Sequence, residues 1–254
     1  MTQEIYSPAN VPLYEAMYGS GLISLGGYEA VDRMFEGLPL LGKKLLDVGS
    51  GIGGMANYLA QKYGAHVTGL EIHPWMAEYG QNHTPANIKD HVNFVTYTEE
   101  GLIPISDECI DMVYSKGVLT HVSDKKSLFQ KIYPVLKPGA QLCLIDWIVP
   151  EIRGPQNEMR ASGEISSKET QTSYEKILED CGFQDVIFEN ESDVYLGYVK
   201  NLGALLESSD HKRKFASVIE PNLRDILLKS NRDLVTAIES GAQLSVRIQA
   251  RKRS

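Results

Sequence analysis

The run Lys44-Leu45-Leu46-Asp47-Val48-Gly49-Ser50-Gly51-Ile52-Gly53-Gly54 carries an apolar stretch past one acid into a glycine-rich turn. Glycine lets the backbone come close to a ligand, and the start of the helix that follows offers free N–H groups. A carboxylate just ahead of such a turn can hold a cationic ligand group through charge-assisted hydrogen bonds. A second acid, Glu71, closes the next apolar run, His66-Val67-Thr68-Gly69-Leu70-Glu71, where a carboxylate suits a ribose diol. Together these are the parts of a site for a nucleotide-like cofactor.

The turn can be spelled two ways. Gly49, Gly51 and Gly54 satisfy G-x-G-x-x-G, the dinucleotide fingerprint. Gly49, Gly51 and Gly53 satisfy G-x-G-x-G, the turn of enzymes that use S-adenosylmethionine (SAM). Asp47 favours the second spelling, because it can hold a cationic amino-acid end. Glu71 suits the ribose of either cofactor, and a tight turn between two strand-end acids is the plain structural alternative. An NAD-type oxidoreductase therefore stays open on the glycines alone.

Such residues need strands to end at one edge of a sheet, and the chain supplies them. Strands are predicted at 43–48, 66–71, 92–97, 109–115, 140–147 and 185–190, with helices near 53–63, 74–82, 124–136 and 170–181 between them. Lys137-Pro138-Gly139 is read as the stop and turn after the third of these helices. Leu244, Val246 and Ile248 alternate as a last strand, expected at an edge and antiparallel. Residues 1–36 look helical with breaks at Pro8, Pro12, Gly19 and Gly26-Gly27, and 193–240 look helical before the last strand. The expected fold is α/β: a Rossmann-like, seven-stranded, mostly parallel sheet with helices on both faces and an antiparallel last strand. N-terminal lid helices (1–36) and a helical insertion or cap (193–240) complete one domain over 1–254.

Composition narrows the function. The chain has 254 residues, 43% of them hydrophobic, with a formal net charge of −8 and a pI near 5.3. That acidic balance argues against a general nucleic-acid binder, and the basic tail Arg247, Arg251, Lys252, Arg253 reads as a solvated end. Cys109, Cys143 and Cys181 lack CxxC spacing and read as small core residues, with no metal site expected. Neither a leader-like N-terminus nor a run long enough to span a bilayer is seen, so the expectation is a cytoplasmic protein with no membrane partner.

At this point the chain resembles the class I SAM-dependent methyltransferases over about residues 18–190. The resemblance rests on LLDVGSGIGG (45–54), VTGLEI (67–72), IDMVYSKGVLTHV (110–122) and LKPGAQLCLIDW (136–147). Within that class it is most similar to the phosphoethanolamine (phosphobase) N-methyltransferases. Tyr18-Gly19-Ser20-Gly21-Leu22-Ile23-Ser24-Leu25-Gly26-Gly27 looks like their YG-x-x-x-ISSGG element, and Leu119-Thr120-His121 like the ending after their fourth strand.

The resemblance implies SAM as cofactor, S-adenosylhomocysteine as product, no metal, and a small-molecule acceptor, most simply an amine nitrogen. It implies His121 and a lid tyrosine, Tyr6, as the catalytic pair; a histidine near its ordinary pKa of about 6.5 is also a fitting base on general grounds. It implies that Ile23 and Ser24 close the amino-acid side and that Lys116 lies near the methionine moiety. Beside it, the residue reading assigns the turn Gly49, Ser50, Gly51, Gly53 to the amino-acid end, Glu71 to the ribose and Ile72 to the adenine. Thr98 or Glu99 would face the adenine amine. Trp147 would wall the acceptor pocket, where an aromatic suits a cationic amine. The chain departs from those enzymes at Gly117, where they hold an acid, and lacks their Tyr–Arg–Tyr cluster near 147–166. Methylation of oxygen or carbon in a biosynthetic small molecule is the alternative.

Overall fold

The computed structural model describes residues 6–98, 101–159, 165–215 and 221–254. Two short helices, α1 (Val11–Tyr18) and α2 (Gly27–Met34), precede the sheet. Strands and helices then alternate: β1 (Lys44–Val48), α3 (Gly54–Tyr63), β2 (His66–Glu71), α4 (Pro74–His83), β3 (Val92–Thr96), β4 (Ile110–Lys116), α5 (Lys125–Ile132) and β5 (Leu136–Ile148). A hairpin, β6 (Gln156–Met159) with β7 (Ile165–Lys168), leads to α6 (Gln171–Asp180) and β8 (Phe183–Asn190). Three helices, α7 (Ser192–Glu207), α8 (Ser209–Phe215) and α9 (Pro221–Glu239), come before β9 (Leu244–Lys252).

The seven-stranded sheet has the order β3-β2-β1-β4-β5-β9-β8. Its first five strands are parallel, and β9 runs antiparallel to both neighbours. β1 and β4 are buried almost throughout because helices cover both faces. Leu128, Phe129, Tyr174 and Leu178 from α5 and α6 pack one face; Val31, Met34, Ala56 and Leu59 from α2 and α3 pack the other.

Three expectations change. Lys137-Pro138-Gly139 is no turn between elements but lies inside β5. The helix before it stops at Ile132 and passes through a tighter turn, Tyr133–Val135, where Pro134 offers no N–H. The β4–β5 ladder then steps from Ile110–Leu136 to Met112–Gln141, so residues 137–140 fall in a bulge, which tolerates a proline. The last strand is antiparallel as expected but is not the edge. β9 is buried along most of its length and inserts between β5 and β8, leaving the alternately buried β8 outside. The β6–β7 hairpin was not foreseen, since its strands are short, polar and without alternation.

That hairpin is tied to the site. The buried Lys125 donates from Nζ to Ser167 O at 2.8 Å and to Val122 O at 3.1 Å, joining β7 to the segment after β4. No helix among the described residues is long and apolar enough to cross a membrane.

Candidate cofactor and acceptor site

The ends of β1, β2 and β4 meet at the carboxyl edge of the sheet, the usual place for a ligand in such folds. There Gly49 and Ser50 both donate their N–H to Leu70 O, at 2.8 and 3.2 Å, which folds the turn back over β2. Gly49 has a φ of +76°, and a Cβ on it would run into the Val118 side chain. Glu71 accepts from Gly51 N at 2.8 Å, Ile72 N at 2.9 Å and His73 N at 3.0 Å, so its carboxylate is held rigidly at the cavity wall. Asp47 is buried and its Oδ2 has no hydrogen-bond partner. Burial pushes its carboxyl up to about 7; the Tyr114 hydroxyl opposes the shift and the Glu71 charge adds to it.

These groups line a cavity of about 170 Å³ together with Ile72 and Tyr6. A second cavity, about 560 Å³, lies between β5 and the helices α7 and α9. The two share Ile23, Ser24, Lys116, Gly117 and His121. Lys116, at the end of β4, is buried and donates from Nζ to Ser24 Oγ at 2.9 Å and Leu25 O at 2.5 Å. Burial lowers its ammonium to about 7. His121 closes a single helical turn, Leu119–His121, which presents it to both cavities. A ligand spanning the first cavity could meet a carboxylate at each of two points and reach the second cavity at its Lys116–His121 end.

The fold therefore gathers most of the sequence-predicted residues. Ile23, Ser24, Asp47, Gly49, Ser50 and Gly51 line the first cavity, as do Glu71, Ile72, Lys116 and His121. Tyr6 is there too, its ring 6.2 Å from those of Tyr14 and His73, but it does not line the second cavity, which Tyr18 borders instead. Trp147 lines the second cavity, edge-on to Tyr195 at 5.7 Å.

Three assignments fare differently. Gly53 lines neither cavity; a Cβ there would meet the Phe94 ring and the Gly80 backbone, so this glycine serves packing under the turn. Thr98 is exposed and its Oγ1 accepts from Gly101 N at 3.1 Å, so its hydroxyl closes its own turn while Tyr97 lines the cavity. Glu99 lies outside the described residues.

One important residue escaped the sequence reading because it sits in an apolar strand. Asp146 is buried, accepts from Trp147 N at 2.8 Å and from the Tyr174 hydroxyl at 3.1 Å. Burial pushes it up to about 6, against the charge of Lys125 and the N–H groups of Trp147 and Thr120. It thus links Trp147 of the second cavity to the turn that carries His121.

Residues 46–144, from β1 through β5, match a family model described as a methyltransferase domain. The chain carries a methyltransferase domain. Phosphoethanolamine N-methyltransferase 1 of Arabidopsis thaliana is 31% identical over 237 residues, covering 84% of this chain and 43% of that protein. Phosphoethanolamine N-methyltransferase of Plasmodium falciparum is 29% identical over 199 residues, covering 75% of this chain and 72% of that protein. Among solved structures, phosphoethanolamine N-methyltransferase 2 of Haemonchus contortus, in complex with phosphomonomethylethanolamine and S-adenosylhomocysteine, superposes with a TM-score of 0.83. That pair is 21% identical and covers 99% of this chain and 59% of the other, so the likeness establishes the fold. The chain spans about two fifths of the length of the plant relatives it matches.

Proposed function

We propose that the chain transfers a methyl group from SAM to a small-molecule acceptor, an amine nitrogen. The observation that carries this reading is the meeting of two cavities at Lys116, Gly117 and His121, one walled by the acids of a cofactor turn and the other roomy and partly aromatic. The residues of the first cavity fit the cofactor. The buried, unpartnered Asp47 Oδ2 is an acceptor in want of a cation, the Gly49 turn leaves room for close approach, and the Glu71 carboxylate is fixed for a diol. SAM, when bound, supplies a methyl group activated on a positively charged sulfur.

The chain's own residues then orient the partners, exclude water and handle the proton. An amine reacts through its lone pair, so an ammonium must first lose a proton; His121, facing both cavities, is the residue to take it. Asp47, Glu71 and Ile72 hold the cofactor, Ile23 and Ser24 close over it with Lys116 behind them, and Tyr6 covers the cavity from the N-terminal segment. Residues 1–36 act as a lid and 193–240 as a cap on one domain, working on small molecules in the cytoplasm. Support also comes from the relatives named as phosphoethanolamine N-methyltransferases.

The test is calorimetric titration with S-adenosylhomocysteine and, separately, NADH, followed by SAM turnover with small amines and phenols. Micromolar binding of the first with amine turnover is the expected result. Turnover on phenols alone would move the acceptor atom to oxygen, and NADH binding would overturn the reading.

A further inference from the structure

We infer that the acceptor is an amine with an uncharged alkyl or aryl body and no phosphate group. This rests on the methyl-transfer reading above and names its substrate class. The second cavity, at about 560 Å³, falls in the range that encloses a drug-sized ligand, roughly 300–1,000 Å³. Its apolar wall is Trp147 from β5, Leu202 and Leu206 from α7, and Leu227 and Leu234 from α9, and the neutral polar side chains of Tyr195, Ser230, Asn231 and Gln243 stand between them. An acceptor with an apolar body removes this surface from water at about 25 cal/mol per Å².

The charges in the cavity point the same way. Among the described residues that line it, Lys116 is the one cation. Its Nζ donates to Ser24 Oγ and Leu25 O, and it lies where the two cavities join, not at the far end. The other charged residues lining the cavity are carboxylates, Glu158 and Asp233, both exposed at its rim, with Asp233 also pairing with Lys229. A phosphate needs a fork of guanidinium or ammonium donors to replace its water. Here it would meet leucines, neutral polar side chains such as Ser230, Asn231 and Gln243, and two carboxylates, and among the described lining residues no cation besides Lys116 replaces its hydration.

At the joining point the shared residues Ile23, Ser24, Lys116, Gly117 and His121 include no acid. Nothing in that group favours an ammonium, and the buried Lys116 beside it disfavours one. An ammonium that enters there gives its proton to His121, which leaves the lone pair of the acceptor nitrogen available.

The experiment is titration calorimetry on the full chain saturated with S-adenosylhomocysteine, using 2-phenylethylamine, hexylamine and phosphoethanolamine in turn. At least one of the two apolar amines is expected to bind tenfold or more tightly than phosphoethanolamine. Leu234→Arg, which puts a cation in the apolar wall, is expected to weaken that amine tenfold and leave S-adenosylhomocysteine affinity within twofold. If the arginine variant does not fold, Leu234→Ala is expected to weaken the amine several-fold. Phosphoethanolamine binding as tightly as the apolar amines, or neither apolar amine binding, would overturn the inference. Failure of S-adenosylhomocysteine itself to bind would instead overturn the methyl-transfer reading on which it rests.

Discussion

Lys116, at the end of β4, donates its ammonium to the Ser24 hydroxyl at 2.9 Å and so ties the N-terminal segment down where the two cavities meet. Burial lowers this lysine to about 7 in the fold, while the unfolded chain holds it near its ordinary value of about 10.4. Between those values the unfolded chain binds more protons, so this group makes stability rise with pH from about 7 to 10 and leaves it level below. Lys116→Met should abolish that slope in urea melts across pH 7–10 and stabilise the ligand-free chain at pH 7 by up to about 4 kcal/mol. It should also weaken S-adenosylhomocysteine severalfold, because the 23–25 segment loses its tether.

Asp47 titrates with the opposite sense. Its carboxyl sits near 7 in the fold and near 3.9 when unfolded, so the folded chain binds more protons between those values. Ligand-free stability should therefore fall as pH rises from about 4 to 7. A cationic ligand group needs the carboxylate, so S-adenosylhomocysteine should bind more tightly as pH rises through about 7. Asp47→Asn should raise the ligand-free Tm at pH 8 by several degrees and cost at least tenfold in that affinity, as read by thermal shift and calorimetry.

Asp146 is a positioning residue for the second cavity, since Trp147 and the Thr120–His121 turn hang on it. Asp146→Ala leaves the Tyr174 hydroxyl and the Trp147 N–H without their acceptor and should cost about 2–4 kcal/mol. Asp146→Asn keeps the shape and should fold. Its kcat for the methylated amine should fall more than its S-adenosylhomocysteine affinity, a split that a purely structural role would not produce.

Gly54 lets the N-terminal segment lie directly on α3. Its N–H donates to Gly21 O at 3.0 Å, and a Cβ on Gly54 would strike the Gly21 carbonyl. Gly54→Ala should therefore destabilise by about 1–3 kcal/mol despite the better helix propensity of alanine. Loss of S-adenosylhomocysteine affinity in the same variant would follow the displaced 21–25 segment.

His121 faces both cavities and Tyr6 only the first. His121→Ala should lower kcat about a hundredfold or more with little change in cofactor affinity. Tyr6→Phe should act more on cofactor affinity than on kcat. Unchanged turnover in His121→Ala would remove it as the base.

The cofactor half was legible because its residues are contiguous. A turn between a strand and a helix places Asp47, Gly49 and Gly51 by local geometry alone, and Glu71 follows from the parallel register of β1 with β2. Of the acceptor half only Trp147 was legible, as an aromatic at a strand end. Tyr18, Tyr195 and Leu234 come from three other elements, and no spacing in the chain marks them as its neighbours. Asp146 was invisible for a related reason: within Leu144-Ile145-Asp146-Trp147 it reads as a strand residue, and only its partners Trp147 N and the Tyr174 hydroxyl reveal its role.

By itself the sequence determined the alternation of strands and helices, the glycine turn and its two acids, because periodicity, turn chemistry and the residues flanking a turn are local properties. Tertiary structure decided that β9 enters the sheet rather than ending it, that Gly53 packs against Phe94 and Gly80, and that α7 and α9 roof a chamber of mixed apolar and polar lining beside His121. Those outcomes depend on which surfaces bury one another across long separations in the chain, and burial is a property of the assembled layers rather than of any segment within them.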